Sequence, residues 1–249
     1  MTLPDGRTAG PDTPSAPLAL VLFDCDGTLV DSQHMIVAAM HDAHTAAGLA
    51  VPSRGRLLSV VGLSLPEAFT VLAEGDPAYP VASMTEAYRS AFMRLRDSRP
   101  PEPMFPGARE VLAALRARED VVLGMVTGKA RRGVGRVLQA HDMEGWFSTI
   151  QTADDAPSKP HPAMVQQAMM ETGIGPARTV VVGDTSFDMA MARAAGAAAL
   201  GVAWGYHATE ELWHAGAQRV VERFEDVPAA LAELLGTEAG EGRVECASC

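Results

Sequence analysis

The run Leu18-Ala19-Leu20-Val21-Leu22-Phe23-Asp24-Cys25-Asp26-Gly27-Thr28 decides the fold. Six apolar residues in a row, flanked by polar ones, suit a strand buried on both faces. The run stops abruptly at an aspartate, so the carboxyl end of that strand carries charge. Outward from it the chain alternates. Apolar runs at 121–126, 147–150, 179–182, 197–202 and 220–221 are expected strands. Helical spacing at 108–118, 134–140, 163–172 and 187–195 falls between them, and a helix at 227–235 follows the last. Alternating strands and helices form βαβ units, whose right-handed crossovers give a parallel sheet covered on both faces.

Residues 32–105 have a different texture. Met35, Ala38, Ala39 and Met40 lie at helical spacing, as do Phe69, Val71 and Leu72 after Pro66, which fits a first helical position. Loops are expected at 52–55 and 75–80. A helical block directly after the first strand cannot join the sheet, so it reads as an inserted subdomain. The expected division is a core of 18–31 plus 106–236, a helical insertion at 32–105, a leader at 1–17 and a tail at 237–249.

Composition bounds the function classes. The 249 residues are 47% hydrophobic with a net charge of −11, which excludes wholesale disorder. The excess of acid disfavours nucleic acid as a partner. No apolar stretch is long enough to span a bilayer. The first 17 residues lack the apolar centre of an export signal, so a cytoplasmic location is expected. Three cysteines imply no disulfide framework, and Cys246-x-x-Cys249 is half a zinc site without its other half. Only two of the 20 basic residues, Lys129 and Lys159, are lysines.

In open parallel sheets, ligands bind beyond the carboxyl ends of the strands. There the sequence carries Asp24-Cys25-Asp26-Gly27-Thr28, Thr127-Gly128-Lys129, Ser158-Lys159-Pro160 and Gly183-Asp184-Thr185-Ser186-Phe187-Asp188. Gathering Asp24, Asp26, Asp184 and Asp188 without counter-charge is costly. A hard divalent cation resolves the repulsion, and all-oxygen ligands favour Mg²⁺. With a phosphoryl group drained by Mg²⁺ and Lys159, a carboxylate can act as nucleophile. Thr127 can hydrogen-bond a phosphoryl oxygen. Asp26, two residues beyond Asp24, points the same way if strand geometry persists, and can serve as acid and base.

These four segments together resemble the motifs of the haloacid dehalogenase-like hydrolase superfamily, and the insertion resembles its phosphoglycolate phosphatase-like branch. The resemblance implies a Rossmann-like α/β core with an α-helical cap. It implies Asp24 as nucleophile, Asp26 as general acid/base, and Mg²⁺ held by Asp24, the Asp26 backbone carbonyl and Asp184. Asp188 would orient metal-bound water or Lys159; Thr127, Gly128 and Lys159 would bind phosphate. An aspartate at position 26 argues against a dehalogenase, and the absence of lysine from 31–105 argues against a Schiff-base phosphonatase.

The expected activity is a phosphatase acting on a small phosphorylated metabolite, phosphoglycolate first, with sugar phosphates, nucleotides and pyrophosphate open. A β-phosphoglucomutase-like mutase and a receiver-like phospho-acceptor are the alternatives, and monomer and homodimer are both open. In the insertion, His34, Arg56 and Gly62 are candidate specificity residues. His34, His41 and His44 could share one helix face. Lys129, Arg131 and Arg132 read as a solvated basic face, and Trp146, Trp204 and Trp213 as packing residues.

Overall fold

The computed structural model describes residues 18–236. The expected leader and the tail with Cys246 and Cys249 lie outside them. The chain runs β1 (Ala19–Phe23), α1 (Gln33–Ala46), α2 (Arg54–Leu58), α3 (Leu65–Leu72), α4 (Val81–Asp97), α5 (Ala108–Arg116), β2 (Val121–Val126) and α6 (Arg131–Ala140). It continues β3 (Thr149–Gln151), α7 (Ala163–Thr172), β4 (Thr179–Gly183), α8 (Ser186–Ala194), β5 (Ala198–Val202), α9 (Thr209–His214), β6 (Arg219–Val221) and α10 (Val227–Leu235).

The six strands form one parallel sheet in the order β3-β2-β1-β4-β5-β6. Strand β1 is central, and all five of its residues are buried. Alternate side chains serve opposite layers, as a period of two requires. Val21 and Phe23 pack with Val111, Leu112 and Leu115 of α5 and with α6 and α10. Leu20 and Leu22 pack with Met164 and Val165 of α7, Met189 of α8 and Leu212 of α9. The continuous apolar run is therefore what a doubly covered strand needs.

From β1 the chain winds outward through β2 and β3, then returns beside β1 at β4 and winds the other way. That reversal puts a topological switch at β1 and β4, where connecting loops diverge and leave a crevice. Over the crevice, helices α1 to α4 enclose a separate apolar cluster that includes Ile36, Met40, Leu57, Phe69 and Met84. Several contacts tie this helical layer to the sheet. Tyr206 Oη accepts from Ser32 N at 3.0 Å, Ser158 Oγ accepts from Ser64 N at 2.9 Å, and Phe187 packs against the helical cluster.

Two expectations change. Residues 54 and 55, assigned to a loop, open the five-residue helix α2, whose Ser53 side chain accepts from Arg56 N. Trp213 stands 48% exposed on α9 rather than packed, whereas Trp204 stacks on Phe224 with ring centroids 4.7 Å apart.

The helical layer depends on Phe69, which is wholly buried at its centre. Phe69→Ala is expected to lower unfolding free energy by about 3–5 kcal/mol in a urea titration. A loss below about 1 kcal/mol would contradict this account of the layer's packing.

Candidate active site

Asp24 follows β1 directly, and its N–H still donates to Val182 O of β4 at 2.9 Å. Its side chain is therefore fixed by sheet geometry, and it is 1% exposed. Lys159, also buried, brings Nζ to 3.0 Å from Asp24 Oδ1 and 2.6 Å from Asp188 Oδ1. Neither Asp24 oxygen accepts an aligned hydrogen bond. Asp184, at the end of β4, accepts from Thr28 Oγ1 at 2.8 Å and from Tyr206 N at 2.9 Å. Asp188 is the third helical residue of α8. Its Oδ2 accepts from Thr185 N and Oγ1, while Thr185 Oγ1 accepts from Asp188 N. That reciprocal capping box explains the spacing of four from Asp184 to Asp188. One oxygen of Asp188 caps the helix, and the other meets Lys159.

Electrostatics follow from this crowding. Burial pushes the Asp24 carboxyl up to about 6; Lys159 opposes the shift, and Asp188 and Asp26 add to it. Burial, then Asp188 and Asp24, hold Asp184 well above the usual carboxylate range. Burial alone would lower Lys159, but Asp188 and Asp24 outweigh it and keep its ammonium above the ordinary value. Three buried carboxylates thus face one ammonium.

Asp26 has a different partner. Both its oxygens accept from Lys129 Nζ, at 2.8 and 2.9 Å. Lys129 also stands 5.6 Å over the Phe92 ring of α4. Its side chain is 11% exposed, so it is not part of a solvated face. Burial opposes its charge, yet Asp26 more than compensates and raises its pKa. Arg131 and Arg132 remain exposed, with Arg131 paired to Asp155. Thr127 is buried at the end of β2, and its Oγ1 accepts from Lys129 N at 3.2 Å.

Glycine is required where the layers meet. Gly27 has φ +87°, and a Cβ there would lie 2.3 Å from Asp184 Oδ2. A Cβ on Gly128 would lie 2.3 Å from Gly62 O. The second contact is how the helical layer comes down on the loop after β2, and any side chain would prop the two apart.

Asp24, Asp26, Thr127, Gly128 and Asp184 therefore gather at the ends of β1, β2 and β4, where Lys159 reaches in from the loop between β3 and α7 and Asp188 from α8. Together with the helical layer, several of them bound a cavity of about 350 Å³. Gly62 borders this cavity. His34 is exposed and outside it. Arg56 is also outside: it donates to Val71 O and pairs with Glu74, tying α2 to the end of α3. The three histidines do not share a face. His44 is buried, with Nδ1 on Met40 O and Nε2 on Tyr79 Oη, while His34 and His41 are exposed.

Sequence reasoning missed Lys129 as the partner of Asp26. It also missed Thr28 and Tyr206 as supports of Asp184, and Trp204, whose Nε1 donates to Thr28 O at 3.1 Å. The scarcity of lysine was the available signal for Lys129, since it lies two residues beyond Thr127 at a strand end.

Comparison with known proteins agrees with this geometry. The family model described as haloacid dehalogenase-like hydrolase matches residues 21–202. "Probable phosphatase IndB" of Dickeya dadantii (strain 3937) is 36% identical over 218 residues, covering 87% of this chain and 94% of that protein. The "Phosphoglycolate phosphatase" of Escherichia coli (strain K12) is 30% identical over 212 residues, covering 77% and 84%. A solved hydrolase from Pseudomonas syringae superposes with TM-score 0.76 at 28% identity, covering 87% of this chain and 98% of that one. With its motif carboxylates at the ends of β1 and β4 and a helical layer above them, the chain belongs to the haloacid dehalogenase-like hydrolase family.

Proposed function

We propose that the protein is a Mg²⁺-dependent phosphatase that hydrolyses an organic phosphomonoester through an aspartyl-phosphate on Asp24. One observation carries the reading: neither oxygen of a buried carboxylate accepts an aligned hydrogen bond, while an ammonium stands 3.0 Å from one of them. Such a group is costly unless a ligand completes it.

A divalent cation fits the donor set. Asp24, Asp184 and Asp188 each offer an oxygen within 4.8 Å of the others. Asp188 is already engaged by Lys159 and Thr185, which leaves Asp24 and Asp184, with the Asp26 carbonyl, to hold the ion. The charge count agrees, because three carboxylates against one lysine leave two positive charges to be supplied. Bound Mg²⁺ would supply charge neutralisation and Lewis acidity at the phosphoryl oxygens.

The chain's own residues then divide the work. An Asp24 oxygen forms a bond to phosphorus as the phosphorus–ester oxygen bond breaks. Asp26, protonated as substrate binds, gives that proton to the departing oxygen, and as a carboxylate then takes one from the water that attacks the aspartyl-phosphate and releases inorganic phosphate, so its proton is restored each turnover. Thr127 donates its hydroxyl hydrogen to a phosphoryl oxygen, and Lys159 offsets the charge developing beside it. Lys129 orients the Asp26 carboxylate through two hydrogen bonds. The helical layer limits water during transfer.

Three outcomes test this reading. Asp24→Asn should reduce phosphate release from active monoesters by at least about 10³-fold; unchanged turnover would sink the mechanism. Lys129→Met should lower kcat by about 10–100-fold with a smaller effect on KM, because it disturbs the acid/base rather than phosphate binding. A rise in KM alone would instead make Lys129 a substrate contact.

Metal-linked stability should depend on pH. The folded-state pKa of Asp24 is raised, so without metal its contribution to stability is fully present below the ordinary carboxylate range and lost as pH rises through about 6. Protons and Mg²⁺ compete for the same oxygens. Differential scanning fluorimetry should therefore show a larger Mg²⁺-induced rise in Tm at about pH 7.5 than at about pH 5. An equal or reversed rise would contradict the proposed ligand set.

A further inference from the structure

The cavity above Asp24 is not shaped for a small, wholly polar metabolite. Its floor is charged, but its walls are apolar: Met40 of α1, Leu65 and Ala68 of α3, and Phe92 and Met93 of α4 line it. At about 350 Å³ it lies within the range of pockets that hold ring-sized organic groups. A second carboxylate close to the phosphate, as in phosphoglycolate, would lie against these side chains, and placing a charge there without a partner is costly. The nearest cation, Lys129, is already committed to Asp26 by two hydrogen bonds.

The outer part of the same cavity is basic. Arg89, Arg132 and Arg136 line it. Arg89 is paired with Glu86. Arg132 and Arg136 make no hydrogen bond or ion pair among the described residues. They lie four apart on α6 and so stand on one face of that helix. Burial and the neighbouring Arg96 and Arg132 pull the Arg136 guanidinium below its ordinary value, and Asp97 only partly offsets them. At about 1.5 Å rise per residue, Arg136 stands roughly 7–8 Å along α6 from its first residue, which begins beside the phosphate end.

Resting on the phosphatase reading above, we infer that the alcohol half of the substrate is an apolar, ring-sized body ending in a second anionic group. Phosphate sits on the floor at Asp24, the body fills the space between α1, α3 and α4, and the distal anion meets Arg132 and Arg136. Guanidinium groups suit a carboxylate or phosphate in that position.

The test compares primary alkyl monoesters, so that leaving-group reactivity is held nearly constant. With purified full-length protein and Mg²⁺, kcat/KM is measured for ethyl phosphate, phosphoglycolate, 2-phenylethyl phosphate and its 4-carboxy derivative. The phenyl ring should raise kcat/KM over ethyl phosphate and phosphoglycolate on the order of 100-fold, from the apolar area it buries. The distal carboxylate should add about another 10-fold, lost in the Arg132→Ala/Arg136→Ala double variant. Met93→Glu changes a side chain that is already 39% exposed, so the fold should tolerate it. It should cut the ratio of 2-phenylethyl to ethyl phosphate turnover by about 10-fold.

If phosphoglycolate or ethyl phosphate is turned over as well as the phenyl compounds, the inference fails and the phosphatase reading stands. The same holds if Met93→Glu leaves the ratio unchanged. If the carboxylate brings no gain, the anionic end is wrong. If no compound releases phosphate, the phosphatase reading fails and the inference with it. Calorimetric binding of the same four compounds to Asp24→Asn should reproduce their order, and an order that favours phosphoglycolate would overturn the inference independently of turnover.

Discussion

Lys159 stands buried between Asp24 and Asp188, and the rest of the site is arranged around that contact. A fully buried ammonium is tolerable only with carboxylates beside it, and buried carboxylates beyond its reach need something further. The structure meets the first demand with two short contacts, at Asp24 and Asp188, and leaves the second open at Asp184. The pKa shifts express the same imbalance: burial and neighbouring carboxylates raise Asp24, to about 6, and Asp184 above the ordinary carboxylate range, while Asp188 and Asp24 hold Lys159 above its own. Both lysines of the chain are used here, one in each half of the charged floor.

Topology makes the contact possible. Asp24 and Asp184 lie beyond adjacent parallel strands, and Thr127 lies beyond the strand on the other side of β1. Strand pairing fixes their spacing, so the site is held by the sheet rather than by loops alone. The capping box at Thr185 and Asp188 does the same for the fourth element, since helix initiation and Lys159 contact share one side chain. Glycines at 27 and 128 let these loops approach each other and the helical layer.

Much of this was legible in the sequence. The apolar run ending at Asp24 is what a central parallel strand requires, and regular alternation from residue 106 onward specified the sheet and its helices. Asp24, Thr127 and Asp184 were legible because each lies at a strand's carboxyl end, where direction is set by period and topology; Lys159 and Asp188 were legible from the motifs they belong to. Lys129 was not, since a side chain following a glycine can turn outward or inward. Its direction is decided by Asp26, more than a hundred residues earlier, and by Phe92 in the helical layer. That His34 and Arg56 fall outside the cavity was not legible for a related reason: proximity in sequence to the site does not give the phase of a helix. The five-residue α2 is too short for periodicity to reveal.

Family membership and substrate choice reside in different layers of the molecule. The floor carries the motif residues, while the apolar walls and Arg132 and Arg136 of α6 border the space above it. The central claim concerns the floor. Its most direct test is rapid acid quench of the enzyme during turnover of an active monoester, followed by mass spectrometry of its peptides. A phosphoryl group on the peptide containing Asp24, formed and lost as phosphate appears and absent from Asp24→Asn, is the predicted result. Phosphate release with no phosphoryl group on that peptide, or with one carried elsewhere, would contradict the account.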